Sequence, residues 1–187
     1  MNNVERNFWL SGFQAAVFDD ALRQRAESGA MATLVNGDIA FKHGVGALFD
    51  AGGNAPNLIL QTFPEGDWVV ETMLSGDVCE RWQQGGILVY ESDATFLKLD
   101  YVGTSPPGQP CVRKIEMRHE IGDVFQPAFP EVTLPDGVTT WYLRLEKTGS
   151  EYTGYYSTDG ETFTELATIT NTALGGADVG LYAFGQE

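Results

Sequence analysis

The sequence predicts an all-β chain, a sandwich or barrel of short antiparallel strands, and three observations predict it. Its 22 Gly and 8 Pro are spread as punctuation between short apolar runs, where they act as turn signals. Within the runs, apolar and polar residues alternate with the two-residue period of a half-buried strand. Helical composition is confined to residues 20–27, which Ser28 and Gly29 cut off after about one turn.

Along the chain, strands are expected at residues 37–43, 57–62, 67–74, 86–91, 95–102, 112–120, 140–147, 151–157, 162–169 and 179–184. Hairpin turns join the later ones: Lys147-Thr148-Gly149-Ser150 and Thr158-Asp159-Gly160-Glu161, where Asp-Gly supplies the positive φ of a tight turn. Residues 102–110, with three prolines, cannot hold a ladder and read as a loop, as do residues 126–138 around Pro127, Pro130 and Pro135. Parity assigns the faces. Leu143 and Leu145 point inward and Tyr142, Arg144 and Glu146 outward; Leu97 and Leu99 inward, Phe96, Lys98 and Asp100 outward; Ile115 and Met117 inward, Lys114, Glu116 and Arg118 outward; Tyr152 and Tyr156 inward, Tyr155 outward. Residues 86–90 are apolar on both sides, as in a central strand.

At 187 residues the chain is one domain. A formal charge of −15 leaves no electrostatic footprint for nucleic acid, and 43% hydrophobic with 12% aromatic residues suffices for a core. No apolar run approaches the ~18 residues of a membrane span, and no signal peptide is visible at the N-terminus. Cys79 and Cys111 lack the companions of a zinc site. Free buried thiols are the plainer reading, and a disulfide tying two loops, which would argue for an extracytoplasmic setting, is the alternative.

Six segments in fixed order carry a resemblance: Asn54 to Gln61, Pro64 to Thr72, Gln84 to Tyr90 with Phe96 to Leu99, Tyr142 to Leu145, Tyr155 to Phe163, and Val179 to Ala183. Together they resemble the concanavalin A-like (laminin G-type) jelly rolls, above all the non-catalytic sandwich domains of bacterial glycoside hydrolases such as the C-terminal domain of family 43 β-xylosidases. The resemblance spans about residues 37–184. It implies a two-sheet antiparallel β-sandwich, a polysaccharide or a glycoside hydrolase catalytic domain as partner, and secretion as part of a larger protein; it leaves open a structural calcium at a loop, for which no ligand spacing selects Asp19, Asp20 or Asp50. Such domains close with a Phe-Asp strand after the Gly-Leu-Tyr-Ala segment, whereas here Gln186-Glu187 follow. Residues 13–20 look like that strand or like the ordinary opening strand, so residues 1–30 are an extension or a closing strand, permuted in the latter case.

A sugar site needs flat apolar surface against pyranose C–H groups and polar partners for hydroxyls. The expected outward stripe offers Tyr142 and Tyr155 for stacking and Lys98, Glu116, Arg118 and Arg144 for clasping, with Trp82 at a strand entrance as a further platform. The competing reading is a ladder of charge pairs, Arg144 with Glu116 for example. Trp68 and Trp141 share parity with core residues. Catalysis would draw on a carboxylate pair such as Glu116 with Asp100; the closely spaced acids of jelly-roll hydrolases are missing, and neither His43 nor His119 neighbours a nucleophile motif. The expected function is therefore a non-catalytic carbohydrate-binding or substrate-positioning module, with a structural sandwich packed on a catalytic domain, or a small glycosidase or lyase, as alternatives.

Overall fold

The computed structural model describes residues 7–11, 23–25, 32–35, 38–42 and 58–62, and then 66–184 apart from 107 and 128. The strands described form two antiparallel sheets. One has seven strands, in the order β14 (Thr164–Thr170), β13 (Glu151–Ser157), β12 (Thr140–Thr148), β6 (Trp68–Ser75), β1 (Asn7–Ser11), β4 (Asp38–Lys42) and β3 (Ala32–Val35). The other runs β10 (Val124–Phe125), β9 (Arg113–Ile121), β8 (Thr95–Gly103), β7 (Gln84–Ser92), β15 (Asp178–Phe184), β5 (Leu58–Thr62) and β2 (Arg23–Arg25). β11 (Glu131–Thr133) pairs along β9 and is this sheet's eighth strand. All ten strands expected from the alternation are present, and the fold is the two-sheet β-sandwich.

Parity builds the core. Leu143 and Leu145 on β12 and Val70 and Leu74 on β6 face Ile87, Val89, Leu97, Leu99, Ile115 and Met117 of the opposite sheet, and all are buried. Burying each such side chain contributes roughly 1.5–3 kcal/mol. The sheets come so close that a Cβ on Gly154 of β13 would stand 2.5 Å from Met117 Sδ, so a larger residue there would require the Met117 side chain to shift. Trp141 is buried on the leucine face and donates to the Val138 carbonyl at 3.3 Å, and Trp68 packs against the same cluster. His119 is buried within hydrogen-bond reach of Asn171 Nδ2 at 3.4 Å, and burial pushes its pKa down.

Four local readings need correction. Residues 23–25 form β2, paired with β5, where the composition suggested a helical turn. Local propensity for so short a stretch is weak, and sheet pairing overrides it. The expected loop at 126–138 contains β11: with Pro130 and Pro135 outside the paired stretch, Glu131 to Thr133 can pair with β9 at the sheet edge. Gly122 (φ 59°) and Asp123 (φ 62°) make an unexpected two-residue hairpin turn that returns the chain as β10. β14 starts at Thr164, two residues late, because the Asp159 carboxylate accepts the amides of Glu161 and Thr162, each at 2.8 Å, and so extends the turn. Residues 13–20, Asp50 and His43 lie outside the described residues.

Candidate functional site

The expected outward stripe does not form one surface. Tyr142 and Arg144 on β12 and Tyr155 on β13 belong to the seven-stranded sheet, while Lys98 on β8 and Glu116 and Arg118 on β9 belong to the other. Each set stands on the outer face of its own sheet, so the two point away from each other. The stripe supposed that β12 lies beside β9, whereas its neighbours are β6 and β13.

On the seven-stranded sheet, Arg144 sits opposite Glu71. Its Nε donates to Glu71 Oε1 at 2.5 Å, and its guanidinium lies 3.9 Å from the centroid of Phe163. The expected Arg144–Glu116 pair is thus replaced by Arg144–Glu71. The Tyr142 ring covers the Asp159-Gly160 turn closely enough that a Cβ on Gly160 would come within 2.9 Å of it. Tyr155 approaches Glu146 Oε2 at 3.5 Å, and partial burial with the charges of Glu146 and Glu165 raises its pKa. These side chains are committed to one another, and such half-exposed ion pairs contribute about 0–1 kcal/mol each.

On the other sheet the alternation holds but its consequence does not: Phe96, Lys98 and Asp100 point outward and are nevertheless buried. Phe96 belongs to a second apolar cluster with Leu58, Leu60, Leu88 and Tyr182. Register places Glu116, Asp100, Gly86 and Tyr182 in one row across β9, β8, β7 and β15. Lys98, 1% exposed, holds Asp100 Oδ2 at 2.8 Å and Glu116 Oε1 at 3.6 Å, and also donates to Gln84 Oε1. The Tyr182 hydroxyl donates to Asp100. Arg118 bridges Glu116 Oε2 (2.7 Å) and Glu131 Oε2 (2.8 Å), and Lys114 takes Glu131 Oε1 at 2.6 Å. Burial, then the neighbouring Asp100, raises the Glu116 pKa, while Lys98 and Arg118 pull it down. Burial and Asp100 push the Tyr182 phenol well above 10. The carboxylates considered for acid–base work are therefore ion-pair partners sealed beneath the surface.

Trp82 stands apart from both faces. It lies in the loop entering β7, is 36% exposed, and has a φ of 63°. Beside it the structure joins Cys79 to Cys111, with Cα atoms 5.0 Å apart, which corrects the reading of two free thiols. Arg113 Nη2 pairs with Asp77 Oδ1 at 2.5 Å next to the bridge. The grouping of Asp77 with the two sulfurs is thus a disulfide beside an ion pair and no metal centre.

Sequence reasoning missed a patch at the β9–β10 hairpin. Ile121, Val124 (59%), Phe125 and Phe129 (46%) are exposed, the two phenylalanines stack at 4.4 Å, and Arg118 lies 5.1 Å from the Phe129 centroid. The Ile-Gly-Asp-Val sequence was the available signal, since Gly-Asp between apolar residues marks a two-residue hairpin.

A family described as the β-xylosidase C-terminal concanavalin A-like domain matches residues 41–187. Among solved structures, a GH43 protein from Bacillus licheniformis superposes with a TM-score of 0.64 at 18% identity, covering 79% of this chain and 29% of that one. Xylan β-1,4-xylosidase from Bacillus halodurans gives 0.60 at 15% identity, covering 77% and 29%. This chain therefore spans less than a third of those proteins. A stretch of 54 residues is 46% identical to tRNA pseudouridine synthase D of Geotalea daltonii, but it covers 27% of this chain and 13% of that protein, too little to bear on function.

Proposed function

The chain belongs to the family of β-xylosidase C-terminal concanavalin A-like domains, and from that premise we propose that it is a non-catalytic accessory domain that holds or positions polysaccharide for a glycoside hydrolase. The observation that carries the reading is the fate of the acidic pair. Asp100 and Glu116 are tied to Lys98 and Arg118 beneath the surface, out of reach of a glycosidic oxygen, while an aromatic side chain, Trp82, stands outside. The disulfide favours an oxidising compartment outside the cytoplasm.

Pull-down on insoluble arabinoxylan, cellulose and mannan, followed by a reducing-end assay, tests the reading. Retention on at least one polymer with no new reducing ends is expected. No retention on any polymer overturns the binding, and release of reducing ends overturns its non-catalytic character.

A second reading, packing against a catalytic domain, is favoured by the exposed Ile121–Phe129 patch, since contiguous apolar surface of this kind marks contact sites. Mixed with a family 43 catalytic domain, the chain should then comigrate in size-exclusion chromatography, and Val124→Asp should abolish comigration without lowering Tm. Separate elution of the parent chain would remove this reading.

A further inference from the structure

Trp82 combines two properties that conflict unless something is gained from the combination. A φ of 63° puts a bulky side chain in the left-handed region, where only glycine, and to a lesser extent asparagine and aspartate, sits at ease. Such a conformation persists only where the surroundings over-determine it. Yet the indole belongs to neither buried cluster, so core packing does not explain the residue.

The surroundings do over-determine the backbone. The Trp82 amide donates to the Gly103 carbonyl at 2.7 Å, and the Gly103 amide donates to the Gln83 carbonyl at 2.8 Å, fastening the loop to the end of β8. The Gln83 amide closes onto Glu80 O at 3.1 Å, the Gln83 side chain accepts from the Glu80 amide at 3.1 Å, and Gln84 Nε2 caps the Trp82 carbonyl at 3.2 Å. Gly103 makes the approach feasible: a Cβ there would lie 2.4 Å from Val78 O and 2.5 Å from Glu80 O. The Cys79–Cys111 bridge then ties the same loop to the segment leading into β9. A rigid base thus holds an exposed indole, with the Arg81 guanidinium 5.1 Å from its centroid.

We infer that Trp82, with Arg81, is a docking platform for a neutral polysaccharide, one sugar ring stacking on the indole while the guanidinium donates to its hydroxyls. The inference rests on the accessory reading above and moves the contact from the sheet faces to this loop. Flat aromatic surface on a pre-organised support is what pyranose C–H groups require. The formal charge of −15 disfavours uronate-rich polymers, which leaves uncharged glycans.

Affinity electrophoresis through gels containing soluble arabinoxylan, mixed-linkage β-glucan or galactomannan tests it with Trp82→Gly, Trp82→Tyr and the parent chain. The parent should be retarded in at least one gel. Trp82→Tyr should stay within a few-fold of parental affinity. Trp82→Gly, which suits the positive φ, should keep its Tm or raise it and yet lose at least tenfold in affinity. Retardation of Trp82→Gly equal to the parent overturns the platform and leaves the accessory reading standing. A fall in Tm for Trp82→Gly marks the indole as structural and also overturns it. A parent that runs unretarded in every gel overturns both.

Discussion

Replacing Lys98 with methionine is expected to destabilise the domain by about 3–5 kcal/mol at neutral pH, the range for removing one partner of a buried ion pair. The ammonium is 1% exposed and touches two carboxylates and a side-chain amide. Methionine has nearly the same length but no charge, so the cost comes from leaving Asp100 and Glu116 facing each other in a medium of low dielectric. The pH dependence separates this cause from simple mispacking. In the parent, burial and Asp100 already raise the Glu116 pKa, and Lys98 is one of the groups that restrain the rise. Without Lys98 it rises further. A carboxyl whose folded pKa lies above its unfolded value costs nothing below the unfolded pKa, near 4.3. Its penalty grows as pH climbs through the folded pKa. The deficit of Lys98→Met should therefore be largest near pH 7 and shrink as pH falls toward 4.5, read by urea denaturation at several pH values. Adding Glu116→Gln should recover part of it at pH 7. A deficit independent of pH would mean that Lys98 acts through packing alone.

That cluster also shows where sequence reasoning reaches its limit. Period-two alternation placed Leu97, Leu99, Leu143 and Leu145 correctly, because parity is a local property of each strand and burial on the inner face follows from it. It also put Phe96, Lys98 and Asp100 on the outer face, which is correct. What parity cannot report is whether an outer face is wet. The polar character of Lys98 and Asp100 suggested solvent, but the charges satisfy each other, and Leu58, Leu88 and Phe96 share the layer. Strand order is the second thing local pattern does not carry. Glu116 and Arg144 read as partners only if β9 and β12 adjoin, and that depends on which strands cross between sheets. The Phe125–Phe129 stack was hidden by prolines that read as loop; three residues of edge strand between Pro130 and Pro135 suffice to anchor that segment beside β9.

Loss of the Cys79–Cys111 bridge is the other large effect, and the two sources of that loss should agree. In the chain-entropy account, cross-linking residues 32 apart removes denatured-state freedom worth about 3–4 kcal/mol at 25 °C. The bridge spans β7, β8 and the loop after β8, so the closed segment includes the central strands of the eight-stranded sheet. Without it, the native state keeps the Arg113–Asp77 pair and the amide bonds between Gly103 and the Trp82 loop, which hold the same loops together. The folded structure should therefore survive while the unfolded chain gains freedom. Cys79→Ala/Cys111→Ala is expected to lower the free energy of unfolding by about 2–5 kcal/mol, with an unchanged circular-dichroism spectrum below Tm. The parent chain in dithiothreitol should fall by a similar amount. Alanine variants as stable as the oxidised parent, or a parent indifferent to dithiothreitol, would show that the hydrogen bonds around Gly103 fix these loops by themselves. If the indole of Trp82 needs the bridge only for rigidity, the double variant should still be retarded by the polysaccharide that retards the parent, but more weakly, since loop ordering is then drawn from the binding free energy.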